Sequence, residues 1–395
     1  MWPTCALSLE ADCAPMSKKL LLLGGGHAHV HVLQALAQQA LAGAVVTLVT
    51  PYGRQIYSGM VPGLVAGHYK AEACAIALQP LAAAAGVRFV EGAASALDAT
   101  ARRVTLVDGQ VLSYDVLSLD TGAVMDRDRL PGAREHGLFV RPIEHFFRLL
   151  DGLWDLAARR VLDVVVVGGG AAGVELALAL HHRLSGRGEE RARVVLVTGG
   201  GEPLAGYPAE VVARAERVLA QRRIPVFRDT CAALLPGALV LGSGARLACD
   251  APVLATGAEA PRWLDGCGLQ RDERGFIVTG PTLQSASHPE VFAAGDVASR
   301  ADAPHAKSGV YAVRAGPALA LNLRRVVGGG ALEVHLPQAR TLNLISCGER
   351  KAIVAWGSWS AQGRWAWWWK DRIDRAFVAR YTLPADAGAA PIRSA

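Results

Sequence analysis

The chain has 395 residues, of which 51% are hydrophobic and 19% charged, a composition typical of a globular protein with two or three domains. No uncharged apolar run reaches the length of about 18 residues that a spanning helix needs, which argues against a membrane-spanning segment. The net charge of +6 is concentrated between Arg340 and Arg380, and we expect no nucleic-acid partner.

Seven cysteines are scattered through the chain without a CxxC or CxxxxC pair. This spacing argues against a zinc site and against a redox disulfide coupled to a flavin. Scattered thiols fit a reducing compartment, so we expect a cytoplasmic protein.

Residues 1–15 lack the basic start and apolar centre of a secretory signal. Met16 precedes the first predicted strand closely. We therefore interpret residues 1–15 as an N-terminal extension and Met16 as the natural start.

The first predicted unit is a strand at Leu20–Leu23, a helix from about His27 to Ala42 and a strand at Val45–Val49. Residues 51–63 are rich in glycine and proline and predict an irregular loop. Short strands are then predicted at Val87–Glu91, Arg103–Leu106 and Val116–Leu119.

A second unit repeats the first pattern after a helix at about Ile143 to Ala158. It comprises a strand at Val164–Val167, a helix from about Ala172 to Leu184 and a strand at Arg193–Val197. Thr256-Gly257, after a further strand, repeats Thr121-Gly122, which indicates a duplicated architecture. A short strand then precedes Asp296, and a helix is predicted at Gly309–Val327 before a triple-glycine break.

Each unit carries a glycine-rich turn between strand and helix, the arrangement that places a pyrophosphate on helix N-terminal amides. The second turn has the full spacing Gly168-x-Gly170-x-x-Gly173. The first has Gly24 and Gly26, but His29 replaces the third glycine.

No acid follows the second strand of either unit to bind a ribose hydroxyl. Thr50 ends that strand in the first unit, and its hydroxyl is a weaker candidate for the ribose. Thr198 occupies the equivalent place in the second, with no arginine for a 2′-phosphate, so the choice between NADH and NADPH stays open.

Three histidines, His27, His29 and His31, lie close together at the start of the first helix. His27 and His31 share a helical face, which is one arrangement that binds zinc. We prefer packing or hydrogen bonding near a phosphate, with His27 as a cofactor-binding residue and no metal. Asp296 is suited to bind a ribityl chain, and its alternative role is to cap the following helix.

Seven motifs in order resemble the FAD-dependent pyridine nucleotide-disulfide oxidoreductase superfamily: GGGHAHV, TLVTPYGRQIYSGMVPG, LSLDTGA, GGGAAGVELA, LATGAEAP, FAAGDVA and KSGVYAVRAGPALALNL. Within it the chain is most similar to type II NADH dehydrogenases, and closest to the FAD/NAD(P) domain fused to selenophosphate synthetase in some bacteria. The resemblance implies an α/β fold with two Rossmann-like dinucleotide-binding domains, the glutathione reductase-like arrangement, and a small C-terminal segment.

The resemblance also implies a domain division: residues 16–122 and 275–330 for FAD, 123–274 for NAD(P), and 331–395 as a tryptophan-rich basic segment. It assigns Gly24, Gly26 and Asp296 to FAD, and Gly168, Gly170 and Gly173 to the nicotinamide dinucleotide. Thr121-Gly122 and Thr256-Gly257 mark the crossings between the two domains.

Two residues are candidate catalytic groups by the same resemblance. Glu175 matches a glutamate near the nicotinamide and flavin; it is also explained as a helix acid stabilised near the N-terminal dipole, and the two interpretations are compatible with each other. Lys307 precedes Gly309, where a helix N-terminus faces the flavin pyrimidine edge.

Six of the nine tryptophans crowd into the C-terminal segment. A helix from Trp365 places Trp365, Trp369, Ile373 and Phe377 on one apolar stripe, with Lys370, Asp371, Asp374 and Arg375 off it. The stripe predicts either peripheral contact with the inner face of the cytoplasmic membrane, which we favour slightly, or packing on the FAD domain or a homodimer partner.

These observations predict a flavoenzyme that transfers hydride from NAD(P)H to FAD and onward to an acceptor. Because no redox cysteine pair is present, the acceptor is expected to meet the flavin directly, with a quinone as first choice. The alternatives are a soluble reductase of a selenium or sulfur species and a non-catalytic flavin-binding accessory protein.

Overall fold

The computed structural model describes residues 17–185 and 191–383. The proposed extension at 1–15 and start at Met16 lie outside these residues. In the described part the α-helices are α1 His27–Gln38, α2 Val61–Val65, α3 Leu78–Ala84, α4 Ala133–His136, α5 Ile143–Ala157, α6 Ala171–Ser185, α7 Ala209–Gln221, α8 Gly309–Gly328 and α9 Arg364–Tyr381.

The strands of the described part run from β1 to β23. They are β1 Lys18–Leu23, β2 Ala44–Thr50, β3 Arg54–Ile56, β4 Ala75–Ala77, β5 Arg88–Glu91, β6 Ala94–Asp98, β7 Arg103–Leu106, β8 Val111–Ser113, β9 Val116–Leu119, β10 Leu138–Phe139, β11 Leu162–Val167, β12 Ala192–Val197, β13 Val226–Phe227, β14 Cys231–Leu235, β15 Ala238–Leu241, β16 Arg246–Ala248, β17 Ala251–Leu254, β18 Ile277–Thr279, β19 Val291–Ala293, β20 Ala298–Arg300, β21 Leu342–Cys347, β22 Glu349–Trp356 and β23 Trp359–Gly363.

Two five-stranded parallel sheets form the centre of the molecule. Their strand orders are β19-β9-β1-β2-β5 and β10-β17-β11-β12-β13. The central strands β1 and β11 are apolar along most of their length because both faces of each parallel sheet are covered, by helices on one side and by a small antiparallel sheet on the other. The expected α/β fold with two Rossmann-like units is confirmed.

Smaller sheets extend this frame. An antiparallel sheet β6-β7-β8 accompanies the first parallel sheet, and β14-β15-β16 accompanies the second. The C-terminal segment forms a third antiparallel sheet, β21-β22-β23, followed by α9. Helices α6 and α7 of the second unit pack against β21 and β22, whereas α9 covers β22 and also contacts β4 and α1 of the first unit, so the C-terminal segment touches both units.

The prediction of an irregular loop over residues 51–63 is wrong. This stretch contains β3, a 3₁₀ turn at Ser58–Met60 and the short helix α2. Pro62 lies in the first turn of α2, where a missing amide costs no helical hydrogen bond.

Most of the predicted apolar stripe of the C-terminal helix lies at the surface and not against the FAD domain, while contact with a membrane or a homodimer partner stays a prediction. The exposed fractions of Trp365, Trp369 and Ile373 are 48%, 36% and 41%, so most of the expected stripe lies in solvent. The buried residues of α9 are Ala366, Trp367, Lys370, Asp374, Phe377, Val378 and Tyr381. Lys370 and Asp374 are buried because they form an ion pair of 2.7 Å inside the protein, which offsets part of the cost of burying each charge.

Candidate functional site

The first glycine turn connects β1 to α1 and lies at the carboxyl edge of the first sheet. Gly24 has φ +96°, and a Cβ there would lie 2.5 Å from the carbonyl oxygen of Asp120. Two buried polar atoms close to this turn and to α1, Thr121 Oγ1 and Gln55 Oε1, have no hydrogen-bond partner. The turn itself has no side chain in front of the α1 N-terminus, and buried polar atoms beside it lack hydrogen-bond partners. Both features fit the binding of a pyrophosphate-containing ligand.

His29 occupies the place of the third glycine and is fully buried. Its Nδ1 donates to the Gly24 carbonyl at 2.6 Å, and its Nε2 accepts from Ser118 Oγ at 2.8 Å. Burial lowers the pKa of His29 to about 4, so the ring is neutral at physiological pH. The imidazole therefore joins α1 to the sheet where glycine would bring the two into direct contact.

Asp120 lies under the same turn, at the end of β9. Its Oδ2 accepts hydrogen bonds from the amides of Ala28 and His29, at 2.8 and 2.9 Å. Burial raises the pKa of this carboxyl to about 7, the two amide bonds oppose the shift, and the negative charge of Asp296 adds to it. Asp120 was not among the predicted site residues, although the repeat distinguishes it, since Ala255 occupies the equivalent position in the second unit.

Asp296 follows β19 in the first unit. Arg141, just before α5, forms a 2.8 Å ion pair with its carboxylate. No motif in the sequence singled out Arg141. The pair places a cation from the second unit beside the acid of the first.

His27, the first residue of α1, is the centre of a second polar group. Gln55 Nε2 donates to its Nδ1 at 2.9 Å, and Ser58 Oγ lies 3.5 Å from its Nε2. Gly309, the first residue of α8, packs against both His27 and Ser58. Burial lowers the pKa of His27 to about 4, so the ring stays neutral. Thr50 lies nearby, its hydroxyl facing Gly25.

The second glycine turn connects β11 to α6 in the same way. Gly168 has φ +136°, and a Cβ there would collide with the carbonyl of Ala255. A Cβ on Gly173 would collide with the backbone of Gly168, whereas Gly170 faces open space. Thr256-Gly257 follows β17 directly at this edge. The turn has the same close backbone approach as the first, without an imidazole or a carboxyl beneath it.

Glu175, on α6, lies at the junction of the second sheet and the C-terminal segment. Its Oε1 accepts a 2.7 Å hydrogen bond from the Ser346 amide on β21. Burial raises its pKa to about 7, while the positive charge of Lys370 opposes the shift. Lys370 donates to the Gly59 carbonyl at 2.6 Å and to Asp374 Oδ2 at 2.7 Å. Glu175 and the buried pair Lys370–Asp374 thus form a polar cluster that reaches toward the first unit.

The first unit meets this cluster through aromatic rings. Tyr57 stacks on Phe377 of α9 with ring centroids 4.3 Å apart, and His27 contacts both rings. Gly59 packs against Tyr57 and Asp374. Helix α9 therefore lies directly beside the polar group around His27.

Lys307 stands apart from the Glu175 cluster. Its Nζ lies 3.8 Å from the centre of the Phe276 ring and donates to the Ala298 carbonyl. Burial lowers its pKa to about 8. These contacts fix the segment that leads into α8, whose N-cap is Ser308.

The cysteines in the described residues, Cys74, Cys231, Cys249, Cys267 and Cys347, are unpaired. Burial raises the pKa of Cys74, Cys249 and Cys347 to about 12, so these thiols are protonated and weakly nucleophilic. Within residues 17–185 and 191–383, no three His, Cys, Asp or Glu side chains group closely enough to hold a metal ion. None of the helices there is long and apolar enough to cross a bilayer.

A family model, pyridine nucleotide-disulphide oxidoreductase, matches residues 18–321. An NADH dehydrogenase-like protein of Mycobacterium tuberculosis is 35% identical over 252 residues, covering 60% of this chain and 62% of that protein. The chain thus matches about three fifths of that relative's length. Demethylphylloquinone reductase NdbB of Synechocystis is 26% identical over 298 residues, with 72% and 73% covered.

Solved structures share the fold. The sulfide:quinone oxidoreductase of Aquifex aeolicus superimposes with a TM-score of 0.77 at 19% identity, covering 93% of both chains. NDH2 of Plasmodium falciparum in complex with NADH also gives 0.77, at 12% identity, with 92% and 97% covered. At these identities the likeness concerns architecture alone.

Proposed function

This chain belongs to the pyridine nucleotide-disulphide oxidoreductase family, and from that premise we propose that it is an FAD-dependent NAD(P)H dehydrogenase that reduces a quinone. One observation carries the proposal. Two parallel sheets each end in a glycine turn on a helix N-terminus, and the described cysteines form no pair to relay electrons. The acceptor therefore has to meet the flavin itself.

FAD is assigned to the first unit, residues 16–122 and 275–330. Gly24, Gly26, His27, Thr50, Asp296 and Gly309 are proposed to contact it. The partnerless atoms Thr121 Oγ1 and Gln55 Oε1 support this assignment because a bound ligand supplies hydrogen bonds they lack. When bound, FAD supplies an isoalloxazine ring that accepts hydride from a reduced nicotinamide and returns two electrons to an acceptor.

NAD(P)H is assigned to the second unit, residues 123–274. Gly168, Gly170 and Gly173 are proposed to lie against its pyrophosphate, with Thr256-Gly257 at the crossing between the units. Thr198 directly follows β12, at the position where an acid would favour NADH or a nearby arginine would favour NADPH. Both reductants therefore belong in the test.

Glu175 is proposed to hold and release the proton that quinone reduction consumes. Its pKa of about 7 suits proton transfer near neutral pH, and Lys370 lies close enough to bias its charge. Lys307 is proposed to position the α8 N-terminus through its contacts with Phe276 and Ala298, rather than to react.

A quinone acceptor is supported by the named relatives, since NdbB is a demethylphylloquinone reductase and an Arabidopsis relative is an alternative NAD(P)H-ubiquinone oxidoreductase. Quinones of this kind reside in membranes. Exposed tryptophans at Trp356, Trp359, Trp365 and Trp368 offer an apolar surface beside Arg340 and Arg364. We propose that residues 331–395 seat the protein on the inner face of the cytoplasmic membrane.

The test mixes purified protein anaerobically with NADH or NADPH and follows the flavin absorbance. Bleaching by either supports the dehydrogenase, and failure of both overturns it in favour of an accessory flavin-binding role. Gly170→Asp is the matched variant, because it adds a carboxylate in open space at the proposed pyrophosphate site. It is expected to resist NAD(P)H while dithionite still reduces it.

An acceptor screen then identifies the electron sink. Quinones should reoxidise the bleached flavin faster than selenium or sulfur species. The resemblance to the domain fused to selenophosphate synthetase makes those species the informative comparison. Preference for them would replace the quinone with the alternative acceptor.

A further inference from the structure

Asp120 and Ala255 occupy equivalent positions in the two units. Each follows the strand beside the central strand: the Asp120 amide donates to Leu23 at 2.9 Å, and the Ala255 amide donates to Val167 at 2.8 Å. Each precedes a Thr-Gly pair. At this position the two units therefore differ by a carboxyl beneath the first glycine turn and a methyl beneath the second.

The Asp120 carboxyl fills the space at the N-terminus of α1. It is 3% exposed, accepts from the first-turn amides of Ala28 and His29, and packs against Gly26 and Gly295. The positive end of the α1 dipole favours a nearby anion, and the Asp120 carboxyl already occupies that position. A bound phosphate would therefore be a second anion at the same helix end.

The charged and titratable groups facing Asp120 do not neutralise a second anion. Asp296, from the turn after β19, adds negative charge and is itself paired with Arg141. His27 and His29, from α1, are neutral because burial lowers the pKa of each to about 4. In the described part of the chain no cationic side chain forms an ion pair with Asp120.

We propose that Asp120 is protonated whenever FAD is bound, so that FAD binding takes up one proton from solvent and weakens as pH rises. The inference rests on the proposed FAD site. The FAD pyrophosphate brings two negative charges to the same helix end, and an ionised Asp120 would add a third beside Asp296. Protonation removes that charge while the carboxyl keeps an acceptor oxygen for the α1 amides.

Burial raises the pKa of Asp120 to about 7, and this value sets the pH range of the effect. Below this value the carboxyl already holds its proton, and the FAD dissociation constant is flat. Above it each binding event has to protonate Asp120 first, so the dissociation constant rises about tenfold per pH unit.

The test measures FAD release from the full-length holoprotein on dilution, by flavin fluorescence, between about pH 6 and about pH 9. Wild type should show the rise. Asp120→Asn keeps an acceptor for the amides but cannot ionise, and Asp120→Ala copies the second unit, so both should flatten the curve. Asp151→Asn, exposed on α5, is the control and should keep the wild-type slope.

A flat wild-type curve, or an Asp120→Asn curve as steep as wild type, overturns the inference while leaving FAD binding intact. Protein that holds no FAD at any pH overturns the proposed function as well. If the variants fail to fold, calorimetry of FAD binding to wild type at about pH 8, in two buffers of different ionisation enthalpy, still decides. Uptake close to one proton supports the inference, and no uptake overturns it.

Discussion

Glu175 Oε1 accepts a 2.7 Å hydrogen bond from the amide of Ser346, which ties the second unit to the first strand of the C-terminal sheet. The bond crosses between α6 and β21, and Lys370 of α9 biases the same carboxyl. The proposed proton-holding group is thus held by the segment that carries the exposed tryptophans. Electron acceptor and proton donor would meet at one junction.

Glu175→Gln is expected to lower quinone turnover at neutral pH by roughly 100-fold, the usual contribution of a general acid. Because burial raises the pKa of Glu175 to about 7, wild type holds the proton below that pH and loses it above. Wild-type turnover should therefore fall as pH rises through neutrality, and the variant should lack that inflection. Steady-state rates across pH, with a saturating quinone, provide the measurement.

Two comparisons make this prediction specific. Anaerobic flavin bleaching by NADH needs no proton from the protein and should be retained in Glu175→Gln. Glu349→Gln, which alters a neighbouring glutamate paired with Arg222 and Lys351, should keep the wild-type profile. An unchanged inflection in Glu175→Gln would remove Glu175 from the mechanism.

The ion pair Lys370–Asp374 should carry a large structural cost when broken. Lys370→Met leaves a buried carboxylate without its cation and should lower the free energy of unfolding by about 3–5 kcal/mol. Arg375→Met is the matched control, since Arg375 pairs with Asp371 at the same i,i+4 spacing on the exposed side of α9. It should cost less than about 1 kcal/mol.

Urea unfolding followed by circular dichroism compares the two variants. Adding Asp374→Leu to Lys370→Met should recover much of the loss, because the orphaned charge is removed with its partner. Equal costs for Lys370→Met and Arg375→Met would mean that burial of the pair contributes little.

His29→Gly restores the usual third glycine and is nevertheless expected to destabilise the protein by about 3 kcal/mol. The ring fills a buried site and joins Gly24 to Ser118. Burial lowers the pKa of His29 from the ordinary 6.5 to about 4. The unfolded chain therefore binds a proton that the folded protein does not, and the free energy of unfolding of wild type falls as pH falls from 6.5 toward 4. The difference in free energy of unfolding between wild type and His29→Gly should therefore decrease over that pH range.

Thermal unfolding measures this gap, with the exposed His136→Gly on α4 as the control. A His29→Gly protein as stable as wild type would show that α1 simply closes onto the sheet. The same protein, tested for retained FAD, reports whether the imidazole also holds the Gly24 turn open.

The glycine turns and apolar central strands were predictable because their signals are local. Gly24 and Gly168 need backbone that no other residue adopts easily, and β1 and β11 are apolar runs of the length that parallel strands have. The buried face of α9 was not predictable from hydrophobic periodicity, because it includes Lys370 and Asp374, which are charged residues that become buried only as a pair. The role of Asp120 was not predictable for a similar reason, because it depends on the contact between its carboxyl and the amides at the start of α1.

The exposed tryptophan surface yields the last prediction, on membrane contact. Ending the chain before Trp365 would also remove the buried residues Trp367 and Phe377, so such a truncation tests folding rather than binding. Replacing Trp365, Trp368 and Ile373 by serine alters only exposed side chains of α9. This triple variant should fold as wild type and lose most of its flotation with anionic liposomes, since each buried apolar side chain contributes about 1.5–3 kcal/mol.

Val107→Ser with Val111→Ser, two exposed apolar residues on the β7–β8 hairpin, forms the control and should float as wild type does. Salt should weaken flotation of wild type because the tryptophans lie among arginines, including Arg340 and Arg364. If the triple variant floats as well as wild type, the surface does not face lipid. If wild type instead sediments as a dimer that the triple variant cannot form, the stripe is the contact between two copies of the chain.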